Sequence, residues 1–94
     1  LNTFLAMVNA VPKEWTFSAF SLGRDEMPYV AAAVLAGGHV RVGLEDNLYL
    51  SRGELGTNAQ LVEKAVGLVE GLGSRVLGPS EVRERLALTR RDPV

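Results

Sequence analysis

The stretch GGHVRVGLEDN, Gly37 to Asn47, reads as a β-strand with two unlike faces and an acidic pair at its end. Side chains alternate along a strand, so Val40, Val42 and Leu44 point one way while His39, Arg41, Gly43 and Glu45 point the other. Asp46 and Asn47 follow at the carboxyl end. If helices cover the sheet, the valine face packs beneath one of them and the opposite face must hold Arg41 and Glu45 in an enclosed place. Buried charges need partners or a metal, which makes this strand the place to look for chemistry.

Working outward, Leu1, Phe4, Leu5, Val8 and Val11 recur at helical spacing, and Pro12 ends the run. The aromatic and small residues of Glu14 to Leu22 (EWTFSAFSL) predict a short buried strand. Gly23 and Arg24 turn the chain, Asp25 suits an N-cap and Pro28 a first helical turn, and the apolar run Tyr29 to Ala36 closes at Gly37 and Gly38. After the strand His39 to Glu45 comes a loop, Asn47 to Gly56. Thr57 and Gln60 have the spacing of a capping box ahead of the apolar stripe Leu61, Val62, Ala65, Val66, Val69 and Leu72, which Gly73 stops. Pro79 to about Leu86 forms a last short helix, and Thr89 to Val94 is a polar tail. The order is helix, strand, helix, strand, helix, helix. Strands alternating with helices favour a parallel sheet with right-handed crossovers. Two parallel strands buried on both faces belong to a larger α/β sheet or barrel, and the chain opens inside a helix at Leu1 rather than at a methionine. Further strands are therefore expected before Leu1.

The 94 residues carry 10 basic and 11 acidic side chains, for a net charge of −1, so neither nucleic acid nor an anionic membrane is an expected partner. The chain has no cysteine, which removes disulfides and thiolate metal sites and fits a reducing compartment. No apolar run approaches the roughly 18 residues of a membrane span, and no signal-peptide pattern opens the chain. The expected location is the cytoplasm.

Three segments, the GR turn at Gly23 and Arg24, LAGGHVRVGLEDNLYL, and the TNAQLVEKAV helix, together with the PSEVRERLAL ending, resemble the β-keto acid cleavage enzymes of the 3-keto-5-aminohexanoate type. The resemblance runs from about Trp15 onward and is most specific from Gly37 to Tyr49. It implies an α/β fold in which residues 1–94 are the carboxyl-terminal segment of one (β/α)8 barrel domain, its last two strands and their helices. It also implies a reaction: a β-keto acid and acetyl-CoA give acetoacetate and a new CoA thioester. In that family, zinc is held by a His-x-His pair on an early strand and by the glutamate of the last strand, which maps onto Glu45. Arg41 and Asp46 match the pair beside the metal. Arg41 would bind the substrate carboxylate or hold Asp46, and Asp46 would assist proton abstraction or stabilise the enolate. Family members are homotetramers by the same resemblance. The only histidine, His39, lies on the wrong side of the motif to supply the His-x-His pair.

The physics suits this role, because two imidazoles, one carboxylate and an open position describe a catalytic zinc site. Barrel active sites also lie at the carboxyl ends of the strands, where Glu45 and Asp46 stand. Taken without the resemblance, the Arg41 and Glu45 face reads first as an ordinary solvated sheet face. Four residues along a strand span about 13 Å, so Arg41 must reach upward to meet Glu45 and can equally form a structural ion pair. His39 reads as a structural histidine. Gly23 and Arg24 suit a CoA phosphate at a helix start or a turn with a solvated arginine. Asn47 suits loop packing or a substrate contact. Two other functions stay open at this stage: another metal-dependent barrel lyase or aldolase, and a small non-catalytic interaction domain.

Overall fold

The computed structural model describes residues 2–88. Leu1 and the polar tail Thr89–Val94 lie outside the described residues. Helix α1 (Asn2–Ala10) leads to strand β1 (Ser18–Ala19), a single 3-10 turn (Gly23–Asp25) and helix α2 (Glu26–Leu35). Strand β2 (His39–Val40), a hairpin of β3 (Tyr49–Ser51) and β4 (Glu54–Leu55), helix α3 (Asn58–Gly71) and helix α4 (Pro79–Arg85) complete the order. β1 and β2 pair in parallel, Ser18 opposite His39 and Ala19 opposite Val40, with α2 as the crossover. The molecule is thus of mixed α/β type and contains the expected parallel βαβ unit.

Local chemistry places the ends of these elements. Gly37 adopts φ +83°, the left-handed conformation a side chain resists, and donates to the carbonyl of Val34, while Gly38 donates to that of Ala33, so the two N–H groups close α2. Gly38 has a second reason to be glycine, since a Cβ there would run into the Phe17 ring. The capping box forms as expected: Gln60 N–H donates to Thr57 Oγ1 at 3.1 Å and Thr57 N–H to Gln60 Oε1 at 2.9 Å. Asp25 precedes α2 but makes no side-chain cap bond. At the far end of α3, Gly73 takes φ +83°.

The core lies between α2 and α3, where Met27 and Val30 meet Leu61, Ala65 and Val69. Val40, Val42 and Leu44 pack against it from the strand side, as alternation predicts. α1 joins through Phe4, whose ring meets Tyr29 edge-on at 5.5 Å between centroids. Large apolar side chains remain exposed elsewhere, among them Trp15, Leu22, Leu35 and Leu55.

Three expectations need correction. The strand over His39–Glu45 pairs only at His39 and Val40, because its one neighbour among the described residues is itself two residues long and the chain turns at Gly43. For the same reason the strand over Glu14–Leu22 shrinks to Ser18–Ala19. Asn47 to Gly56 is no open loop, since Tyr49–Ser51 and Glu54–Leu55 pair antiparallel around Gly53, which turns at φ +77°.

Candidate functional site

Gly43 is where the strand becomes the site. Its carbonyl accepts the N–H groups of both Asp46 and Asn47 at 3.2 Å, curling Gly43–Asn47 into a turn at the carboxyl end of β2. The rest of the molecule bonds that turn from several directions. Gly43 N–H donates to Glu26 Oε2 at 3.2 Å, Leu44 N–H to Asn58 Oδ1 at 2.8 Å, and Gly23 N–H to the Asp46 carbonyl at 2.7 Å. The backbone after Arg41 therefore doubles back, and the span of an extended strand no longer separates Arg41 from the acidic pair.

Arg41 joins the two carboxylates. Its Nη2 donates to Glu45 Oε1 at 3.2 Å, and its Nε lies 3.6 Å from Asp46 Oδ2, close enough for attraction but not for a hydrogen bond. The guanidinium also sits over the Phe20 ring, 4.7 Å from its centroid. Here the enclosed charge is not the one that alternation predicts. The Arg41 and Glu45 side chains are about half exposed, at 51% and 56%, whereas that of Asp46 is 5% exposed. Asp46 Oδ2 is buried and accepts no hydrogen bond. The Glu45 carboxyl is held below the usual carboxylate range, first by its own backbone N–H and then by Arg41.

Asn47 is a clamp within the turn. Its Oδ1 accepts Tyr49 N–H at 3.1 Å, and its Nδ2 donates to the Tyr49 carbonyl at 2.6 Å and to Glu26 Oε1 at 3.4 Å. Gly23 and Arg24 face it across a groove of about 990 Å³, also lined by Met27, Arg52 and Lys64. His39 stands on β2, exposed, at the opposite end of the strand from the acidic pair. Glu26, Asn58 and Phe20 are contributors that the sequence reading passes over. A glutamate opening a helix and an asparagine just after a cap carry no pattern that marks them as turned toward a neighbouring loop.

No three His, Cys, Asp or Glu side chains among the described residues gather to hold a metal. Glu45 fits as a single ligand, being exposed, ionised and presented at a strand end, but the described residues supply no second and third.

The family model for beta-keto acid cleavage enzyme matches residues 1–88. The chain is 69% identical over 91 residues to the 3-dehydrocarnitine:acetyl-CoA trimethylamine transferase of Rhizobium meliloti, covering 97% of this chain and 30% of that protein. It is 41% identical over 85 residues to the 3-keto-5-aminohexanoate cleavage enzyme of Acetoanaerobium sticklandii, covering 89% and 31%. Against the 3,5-dioxohexanoate:acetyl-CoA acetone transferase of Paraburkholderia graminis it is 36% identical over 77 residues, covering 81% and 25%. The chain thus spans about 30% of the length of the first two relatives. With its whole described length matched, this chain belongs to the beta-keto acid cleavage enzyme family.

Proposed function

We propose that these residues are the carboxyl-terminal part of a (β/α)8 barrel enzyme that converts a β-keto acid and acetyl-CoA to acetoacetate and a new CoA thioester. The observation that carries this reading is the Arg41 bridge: one guanidinium holds an exposed carboxylate, Glu45, beside a buried one, Asp46, whose Oδ2 has no hydrogen-bond donor. We assign Asp46 Oδ2, which no donor holds, to take a proton from the carbon next to the keto group, a step that requires the side chain to turn out of its buried position. Arg41 orients Asp46 and offers its remaining N–H groups to the substrate carboxylate. Glu45 provides one ligand for zinc, the other ligands coming from outside these 94 residues. A zinc ion held there would supply the Lewis acid that makes the carbon beside the keto group easier to deprotonate. The groove bordered by Gly23, Arg24, Arg52 and Lys64 would receive the phosphates of CoA, with Asn47 at its inner wall. The exposed apolar residues, Trp15, Leu22 and Leu35 among them, are surfaces that the rest of the barrel and neighbouring subunits of an oligomer would cover.

The first substrate to try is 3-dehydrocarnitine, because the relative bearing that name is 69% identical. The test uses the full-length protein with acetyl-CoA and a panel of β-keto acids, measuring acetoacetate release and bound zinc. Glu45→Ala should lose the zinc and reduce turnover by more than the roughly 10- to 100-fold typical of an outer-shell partner. Full zinc content and full activity in Glu45→Ala would end this reading.

A further inference from the structure

Glu26 is the first residue of α2, and only 1% of its surface is exposed. Among the described residues it forms no ion pair. Two donors face it instead: Gly43 N–H meets Oε2 at 3.2 Å and Asn47 Nδ2 meets Oε1 at 3.4 Å. A carboxylate accepts at both oxygens and donates at neither, which is what two converging donors require. Burying a charge is costly unless it is hydrogen-bonded, and an apolar side chain would fill the same space without that cost. What Glu26 offers in return is geometric. Gly43 and Asn47 are the two ends of the turn, and Glu45 and Asp46 lie between them.

We infer that Glu26 is a positioning residue for the acidic pair: by holding both ends of the Gly43–Asn47 turn, it fixes where the Glu45 and Asp46 carboxylates stand relative to Arg41. Its catalytic consequence rests on the proposed function; the mechanical part does not. The hydrogen bonds of Glu26 go to the Gly43 backbone and the Asn47 amide, so it acts through the backbone of the turn and that amide.

The experiment uses the full-length protein and sets Glu26→Ala against Val30→Ala, a cavity in the same helix whose side chain is buried in the core rather than bonded to the turn. Glu26→Leu, which fills the space without accepting a hydrogen bond, replaces the alanine variant if that fails to fold. Hydrogen exchange over residues 41–48 is followed by mass spectrometry, together with zinc retention against a chelator, kcat and KM. At matched loss of melting temperature, Glu26→Ala or Glu26→Leu should speed exchange of this segment, weaken zinc retention and lower kcat by about 10- to 100-fold. Val30→Ala should leave all three near wild type. Glu26→Gln should recover part of the loss, since its amide oxygen can still accept from Gly43. If the Glu26 variants match Val30→Ala in exchange and kcat, or leave both unchanged, the inference is overturned. If wild type neither holds zinc nor releases acetoacetate, the functional reading fails, while exchange of 41–48 still decides whether Glu26 holds the turn.

Discussion

The turn Gly43–Asn47 and the hairpin Tyr49–Leu55 follow one another along the chain, yet they are held in different ways. In the turn, the N–H groups of Gly43, Leu44, Asp46 and Asn47 all have acceptors, and the Asp46 carbonyl has a donor from Gly23. Asp46 and Asn47 bond the Gly43 carbonyl within the turn, and the other partners come from α2, from α3 and from the 3-10 turn after β1. The hairpin pairs chiefly with itself, through an irregular register between Tyr49 and Ser51, and Tyr49 and Leu55 stay exposed. Its ties to the rest of the molecule are the Leu50 side chain, a bond from Lys64 Nζ to the Leu50 carbonyl at 2.5 Å, and the two bonds of the Asn47 side chain to the Tyr49 backbone, all at its first strand. Groups that must meet a reacting atom gain from an over-determined backbone, because a misplacement of 1 Å can cost about 100-fold in rate. A segment bordering a large cofactor gains from being able to yield, and low-stability segments are where such give is found.

If the turn is the rigid half, its centre should be the most sensitive place in the chain. Arg41→Met keeps the aliphatic stem and removes the charge that joins Glu45 to Asp46. It should lower kcat/KM by about 100- to 1000-fold, the scale of losing one preorganised electrostatic partner. If Glu45 holds zinc as proposed, the variant should also move the acid limit of metal binding. The folded-state pKa of Glu45 is depressed, so its charged form persists above that value and is lost as pH falls through it. The largest cause, the residue's own backbone N–H, remains in the variant, while the Arg41 bond disappears. The pKa should therefore rise only part of the way to the ordinary glutamate value. Zinc release on acidification should begin at higher pH than in wild type, by chelator competition across a pH series. An unchanged release curve would show that Arg41 does not tune Glu45.

A subtler change in the same turn should separate position from charge. A Cβ on Gly43 would lie 2.6 Å from Glu45 Oε2 and 2.7 Å from Oε1. The carboxylate is the mobile end of its side chain, so Gly43→Ala should push Glu45 aside while the fold survives. We expect about 10- to 100-fold lower kcat, in line with a ligand displaced by a fraction of an ångström to an ångström. The melting temperature should move little, as measured by calorimetry alongside kinetics. A fall in melting temperature with kcat preserved would mean that the turn adapts, and the contrast with the hairpin would weaken.

The contrast also explains what can be read from the one-dimensional chain. The crossover helix, its double-glycine end and the Thr57–Gln60 box follow from local rules, in which a residue's neighbours in sequence are its partners in space. The Val40, Val42 and Leu44 face follows from alternation. Asp46 as the enclosed charge does not, because alternation assumes that the strand continues, and Gly43 ends it. Glu26 and Asn58 are hidden for a related reason: each bonds a turn 14 to 17 residues away, and no periodicity encodes that pairing. The hairpin is present in YLSRGEL as a tight turn at Gly53, but scattered polar groups blur its alternation into a loop. The roles of Arg41, Glu45 and Asp46 come through the resemblance of their motif, not through spacing.

The hairpin side should show smaller effects, and on binding rather than on chemistry. Arg24 borders the groove together with Arg52 and Lys64, one cation from each of three segments. None of them bonds to the acidic pair, and Arg24 is exposed. If the groove receives the phosphates of CoA, Arg24→Ala removes one solvent-exposed charge contact worth about 1 kcal/mol, or about fivefold in affinity. KM for acetyl-CoA should rise by about that factor while kcat and KM for the β-keto acid stay near wild type. The increase should shrink in high salt, because exposed charges are screened beyond about 10 Å at 0.1 M ionic strength. A drop in kcat would instead mean that Arg24 acts through the turn, by way of the Gly23 bond to the Asp46 carbonyl. In that case the two loops would form one mechanical unit, and the division between a rigid half that does chemistry and a yielding half that binds would have to be abandoned.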